Sequence, residues 1–342
     1  MKVIQVGIGG MGNAWINTVL QSSDVSFVGF VEVNDAVIQE QAVRYDIDRS
    51  RIFKSLAEAL RSVRADAVIN VTPPQFHKEV SLLAMDAGLP VLSEKPLAGT
   101  LSDAQAIVNK SNETGVLHMI TQNYRYHVPI QTVKQALDSG AVGKVGAVTV
   151  EFFKGPHFGG FREEMPYPLI IDMSIHHFDL IRFFLGSDPV SVYGRSWNPP
   201  WSWYKGDASA SVSLAFANGA VVAYNGSWCS NGKETPWNAN WRFECEKGVV
   251  TLVNDEVYVQ HLLGVEEGTG FRSNRYDDLT LIPPVVMERQ AQAYLLHEFY
   301  EAVKTGKKPA TTCQDNIKSL GIVFDVVQSF ATGEVVQSSV SK

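Results

Sequence analysis

Lys2-Val3-Ile4-Gln5-Val6-Gly7-Ile8-Gly9-Gly10-Met11-Gly12 opens the chain: an apolar, β-prone run followed at once by a glycine-rich turn. A helix-compatible stretch, Asn13 to Gln21, comes next, and a second apolar run, Val25 to Val31, ends on the acidic Glu32. Strand, turn, helix, strand and acid in that order form the dinucleotide-binding fingerprint. Gly7 allows the tight turn, Gly9 lets the backbone approach a pyrophosphate, and Gly12 lets the helix pack close to the strand, with Gly10 and Met11 completing the turn. The diphosphate is then expected on the positive end of the helix dipole. Glu32 would accept hydrogen bonds from ribose hydroxyls and repel a 2′-phosphate. No arginine occupies 33–37 to clamp such a phosphate, so NAD is expected in preference to NADP.

Outward from the turn, the alternation of strand and amphipathic helix continues. Segments 66–71, 89–93 and 116–121 read as strands, 75–87 and 102–114 as helices, which predicts a parallel, doubly wound α/β Rossmann sheet over residues 1–121. Ligands bind such sheets outside the carboxyl ends of the strands, where Thr72-Pro73-Pro74 and Glu94-Lys95-Pro96 lie. Thr72, Pro73, Glu94 and Lys95 therefore join the glycines, Met11 and Glu32 as expected cofactor-binding residues. His77 is expected to be structural, at a helix start beside the nucleotide.

Beyond residue 122 the pattern changes to a few helices among alternating strands such as 145–153, 208–216 and 220–228. Asn218-Gly219 between the last two is a type I′ hairpin signal. An α+β domain with a mostly antiparallel sheet is expected over 122–342. Segment 263–284, rich in glycine, charge and proline, reads as a long loop; helices are expected at 287–304 and 314–331.

A chain of 342 residues exceeds the size of a single core, which agrees with two domains. With 45% hydrophobic and 19% charged residues and a net charge of −7 spread without runs, nucleic acid and anionic membranes are not expected partners. A strand beginning at residue 2 leaves no room for a signal peptide, and no segment reaches the length of a membrane span, so a cytoplasmic protein is expected. Cys229, Cys245 and Cys313 lack zinc or disulfide spacing.

The chemistry is expected on the run from Leu169 to Leu185, between Pro168 and a C-capping Gly186. Positions 175, 178, 181 and 185 form an apolar stripe at helical spacing; 172, 176 and 179 form a polar one. Asp172 and His176, four apart, point the same way from a helix, and a carboxylate beside an imidazole raises its pKa and orients it. The same pair is also compatible with a surface ion pair or half a metal site. Further ligands are lacking, His157 apart, so no metal is expected. Lys95 is either a solvated lysine or, from its place at the ligand edge, functional.

The Gly-x-Gly-Gly-x-Gly turn, Glu94-Lys95-Pro96, Asn123-Tyr124-Arg125-Tyr126 and the Asp172-x-x-x-His176-x-x-Asp179 helix together resemble the Gfo/Idh/MocA family of oxidoreductases, over essentially the whole chain. The resemblance implies NAD(P)-dependent redox chemistry on sugars or cyclitols, and dimers or tetramers that pair open sheet faces. It implies that Lys95, Asp172 and His176 act on the reacting hydroxyl and that Asn123 and Tyr124 line the substrate site. The His176-His177 doublet departs from the common pattern. It leaves open which imidazole faces the substrate, and helix phase favours His176. Lys95 and His176 could exchange roles as electrophile and base. An imine or unsaturated-ring reductase, and a non-catalytic nucleotide sensor, are the other classes open to this scaffold. Trp197, Trp201, Trp203, Trp228, Trp237 and Trp241 suit carbohydrate faces, a core or a subunit interface.

Overall fold

The first part of the chain repeats one device: a short run of buried aliphatic residues, a turn, a helix. In the computed structural model, which describes residues 1–267 and 271–341, the repeats are β1 (Lys2–Val6), α1 (Gly10–Leu20), β2 (Ser26–Val31), α2 (Asp35–Arg44), β3 (Ile52–Phe53), α3 (Leu56–Ser62), β4 (Ala67–Asn70), α4 (His77–Asp86), β5 (Val91–Ser93), α5 (Leu101–Thr114) and β6 (His118–Ile120). The strands pair in parallel in the order β3-β2-β1-β4-β5-β6. Both faces of the sheet are covered, so Val3, Ile4, Val68, Ile69 and Leu92 are buried whichever way they point. The helices start on side-chain caps where the chain supplies them: Asn34 accepts from the Ala36 and Val37 amides, and Thr100 from that of Asp103.

The second part opens with α6 (Val128–Asp138), β7 (Val145–Phe153), a short α7 (Phe161–Glu164), a π-helical turn at Leu169–Met173 and α8 (Ser174–Leu185). It continues through β8 (Pro189–Trp197), β9 (Ser209–Phe216), β10 (Val221–Ser227), β11 (Asn240–Cys245), β12 (Gly248–Val253), β13 (Glu256–Glu267), β14 (Arg272–Tyr276) and β15 (Thr280–Leu281). It ends on α9 (Ala291–Thr305), α10 (Cys313–Thr332) and β16 (Val336–Gln337). The described strands form one sheet in the order β14-β13-β12-β11-β7-β10-β9-β8-β16, with β15 on β13. The pairing is antiparallel except between β7 and β10. Strict alternation in β10 sends Val222 and Tyr224 into the core and leaves Val221 exposed.

Two expectations are corrected. Of the stretch 263–284, expected as a long loop, residues 263–267, 272–276 and 280–281 are strand at the edge of the sheet, where alternation is weak; 268–270 lie outside the described residues. The Asn218-Gly219 turn is not type I′: only Gly219 has positive φ, at 90°, and its amide donates to the Phe216 carbonyl at 2.9 Å, a G1-bulge arrangement. The I′ conformation occurs at Asn254-Asp255, where both φ values are positive (52° and 66°) between β12 and β13. The chain divides into two compact units, and a late stretch returns to the first of them. One unit comprises Met1–Asn123 and Arg289–Leu320, the other Tyr124–Glu288 and Gly321–Lys342. The physical reason is the open edge of β6: the Ile120 amide donates to the Thr311 carbonyl at 2.8 Å and Met119 bridges to Thr312, so the returning chain covers that edge.

Candidate active site

The glycine turn of the first unit is a backbone device. Gly7 sits at φ 89°, and a Cβ there would stand 2.6 Å from the Val71 carbonyl oxygen; a Cβ on Gly12 would stand 2.6 Å from that of Gly7. Side chains are therefore excluded at both positions by the fold itself. Gly9 and Gly10 have nothing within 4 Å of an added Cβ, so the space beside them is open for a diphosphate at the start of α1. Helix α1 begins at Gly10, ahead of the expected Asn13, which puts Met11 in its first turn, half exposed. The buried Gln5 side chain ties the turn together by donating from Nε2 to the Gly7 and Gly12 carbonyls, each at 3.0 Å. Glu32 lies over this turn: one carboxylate oxygen accepts from the Ile8 amide (3.2 Å), the other from Val33 (2.9 Å) and Asn34 (3.0 Å). An open glycine cradle with a carboxylate fixed beside it fits NAD.

The strand ends carry the rest of the expected cofactor edge. Thr72 donates from Oγ1 to Asn70 Oδ1 at 2.7 Å, and Pro73 opens the short 3₁₀ turn before α4. His77 is wholly buried, with Nε2 at 2.7 Å from the Thr72 carbonyl and Nδ1 at 2.8 Å from that of Pro96, so it staples the two strand-end turns to each other. Burial pushes its pKa down, against the raising effect of the two carbonyls. Glu94 points inward: it accepts from Trp15 Nε1 (2.7 Å) and from the Lys95 amide (3.1 Å), bracing the strand end against α1. Lys95 follows, half-buried, with a cis peptide to Pro96.

In the second unit the run 169–185 is not one α-helix. The π-helical turn Leu169–Met173 carries Asp172, and Ser174 N–H bonds Leu169 O across five residues. Such turns are frequent at functional sites. Asp172 stands in the π turn and His176 in the first turn of α8. There is no solvent-facing polar stripe: residues 174–182 are all buried. The polar groups are instead matched by partners from other elements. Asp179 receives a bidentate Arg125 through Nε (2.6 Å) and Nη2 (2.7 Å). Asp172 accepts from Arg162 Nε at 2.7 Å. The His176 ring stacks on Tyr124, centroids 4.2 Å apart and planes at 25°. Tyr124 also meets His127 (4.7 Å), whose Nδ1 lies 2.7 Å from Asn238 Oδ1, while Asn238 Nδ2 donates to Asp255. Asp172 is close enough to Tyr124 to help burial push the phenol pKa upward.

His177 is fully buried among Phe152, Tyr224 and Trp241, with ring nitrogens 3.3 Å from Tyr224 Oη and the Trp237 carbonyl. Burial lowers its pKa to about 4. The tryptophans divide: Trp228 and Trp241 are core, whereas Trp197, Trp201 and Trp237 are exposed. Thus Gly7 to Gly12, Glu32, Thr72, Pro73, Glu94, Lys95 and Asn123 stand in the first unit, and Tyr124, Asp172, His176 and His177 in the second. Sequence reasoning missed Gln5, Arg125, Arg162 and His127. A polar residue inside an otherwise apolar strand is the signal that would have marked Gln5.

Residues 1–122 match the family described as oxidoreductase family, NAD-binding Rossmann fold, and residues 130–251 match the GFO/IDH/MocA C-terminal domain. The chain belongs to the Gfo/Idh/MocA oxidoreductases. It is an NAD-dependent oxidoreductase. Similar chains include an uncharacterized protein of Sinorhizobium fredii, 29% identical over 98% of this chain and 95% of that one. Another is the scyllo-inositol 2-dehydrogenase (NAD(+)) of Bacillus subtilis, 28% identical over 83% and 81%. The fold matches an Agrobacterium radiobacter oxidoreductase solved with NAD+, L-tartaric acid and magnesium, with a TM-score of 0.86 at 21% identity and 98% of each chain covered.

Proposed function

We propose that this enzyme oxidises a secondary hydroxyl of a cyclitol, sugar or related polyol, with His176 as proton acceptor. The observation that carries the reading is a nearly buried imidazole, held by a ring stack and standing four residues after a half-buried carboxylate at Asp172. The scyllo-inositol dehydrogenase and the tartrate-bound oxidoreductase among the similar proteins support a polyhydroxylated substrate. NAD, when bound, takes the hydride from the carbinol carbon. His176 takes the hydroxyl proton, and the stack on Tyr124 limits its ring to one plane. Asp172 compensates the imidazolium charge and accepts from a neighbouring substrate hydroxyl. Lys95, as an ammonium, hydrogen-bonds the reacting oxygen and stabilises its developing negative charge; Asn123 and Tyr124 contact further hydroxyls. Glu32 favours NAD over NADP because its carboxylate repels a 2′-phosphate.

The outward face of the second unit's sheet exposes Val190, Tyr193, Trp197 and Val221, which supports a homodimer or homotetramer. Light scattering at micromolar concentration tests it, and a monomer refutes it. The activity is tested by NADH formation across inositol isomers, aldoses and glycosides. Turnover of at least one polyol is expected; turnover only of an imine or a simple 2-hydroxy acid refutes the reading.

A further inference from the structure

The loop between β7 and the π turn holds a cation whose hydrogen-bonding capacity the protein does not fill. Arg162 carries five N–H donors, and one of them, Nε–H, meets Asp172. No other hydrogen-bond acceptor meets the guanidinium among the described residues. The carboxylates nearest in the chain are engaged elsewhere: Glu163 accepts from the Gly159 amide at 2.8 Å, Glu164 pairs with Lys205, and Glu234, across the loop, pairs with Lys154. The group is not simply solvated either. Its central carbon lies 5.2 Å from the Phe158 ring centroid and 4.9 Å from that of Phe161, and the side chain is 32% exposed. Both phenyl rings are themselves exposed, 44% and 62%, on a loop with glycines at 155, 159 and 160, an unusual place to leave large apolar surface.

A guanidinium fixed at Nε, flanked by aromatic rings and open at its terminal edge, is a geometry that receives a carboxylate through two parallel N–H···O bonds. The anchor is Asp172, so the open edge lies one side chain from the carboxylate assigned to the substrate. Resting on the polyol-dehydrogenase reading, we propose that Arg162 is a specificity-determining residue and that the substrate is a polyol acid, an aldonate or uronate, whose carboxylate it binds. A neutral sugar would offer those donors no carboxylate, so the fork would favour an acid over its neutral counterpart.

The test uses the NAD-loaded full chain with matched galacto, gluco and manno series of aldose, aldonate, uronate and sugar 6-phosphate. It reads NADH formation, and calorimetric binding of the same compounds with NADH present. The acids are expected to exceed the matched aldoses at least tenfold in kcat/KM. Arg162 is about a third exposed, so Arg162→Leu should lose at least tenfold on acids and clearly less on neutral sugars. Arg162→Lys keeps the charge but not the fork, guards against misfolding of the leucine variant, and should fall between. Equal loss on acids and neutral sugars would mean that Arg162 acts only through Asp172 and would overturn the proposal. Preference for the phosphates, or acids that do not bind, would overturn it as well. Oxidation of neutral polyols with no acid preference leaves the dehydrogenase reading standing without this inference. Arg162-dependent binding of acids without NADH formation does the reverse.

Discussion

The glycine turn of the first unit and the helix entrance of the second both gather polar groups, yet they are specified at different range. Gln5, Gly7, Gly12 and Glu32 meet one another through backbone atoms within a single βαβ unit. At the helix entrance Arg125 reaches Asp179 across 54 residues, and His127 reaches Asn238 across 111. The first site is a solution to backbone sterics; the second is a solution to packing. A nucleotide turn should therefore fail by losing its ligand or its backbone, and the helix entrance by losing a buried partner.

The largest effect is expected from that buried partner. Arg125 and Asp179 are nearly inaccessible, so Asp179→Asn should cost about 3–5 kcal/mol in urea unfolding by leaving a charge uncompensated. Replacing both by apolar residues of similar volume should recover much of that loss. A single-variant cost below about 1 kcal/mol would place the pair among weak surface bridges and collapse the contrast between the two regions.

Within the turn, the two kinds of glycine separate cleanly. Gly12→Ala forces a Cβ against the Gly7 carbonyl and should lower stability by about 1–3 kcal/mol. Gly9→Ala meets no protein atom within 4 Å, so its Tm should stay close to the parent while NAD affinity, by calorimetry, falls at least tenfold. Equal Tm losses at both positions would show that the open space beside Gly9 has no cofactor to hold.

A smaller effect follows pH. His177 and His118 are buried and held neutral in the folded chain, their pKa values lowered from 6.5 to about 4 and about 3. The unfolded chain binds those protons first, so their contribution to stability is complete above about pH 6.5 and is lost as pH falls toward 4 and then 3. Tm should be level from about pH 8 to 7 and decline below 6.5, and His177→Gln should flatten part of the decline. A Tm unchanged down to pH 4.5 would contradict the burial of both rings.

The same contrast in range governs what the sequence made legible. The strand-turn-helix-strand fingerprint and the parallel sheet follow from spacing within a few dozen residues, and the structure has both. Gly186 was readable as a C-cap because its signal is local; it adopts φ 56° at the end of α8. The π turn was not readable, since it is set by the surroundings of Leu169 to Met173 and leaves the 3.6-residue pattern of the following helix intact. The burial of His177 was not readable for the same reason. An imidazole at its position looks polar in sequence, and only the aromatic shell of Phe152, Tyr224 and Trp241 makes it core. The hairpins show the effect in miniature: Asn218-Gly219 carries the stronger local I′ signal, yet the left-handed pair falls at Asn254-Asp255, where Asp255 is tied to Asn238.

The central claim is that the second unit supplies the proton acceptor while the first holds the nucleotide. His176→Ala tests it most directly, measured as kcat on an oxidised polyol alongside the NAD dissociation constant of the same preparation. The account predicts a loss of about 10²–10⁴-fold in kcat with NAD binding within about twofold of the parent. A kcat within about fivefold of the parent, or a loss explained by weakened NAD binding, would contradict it.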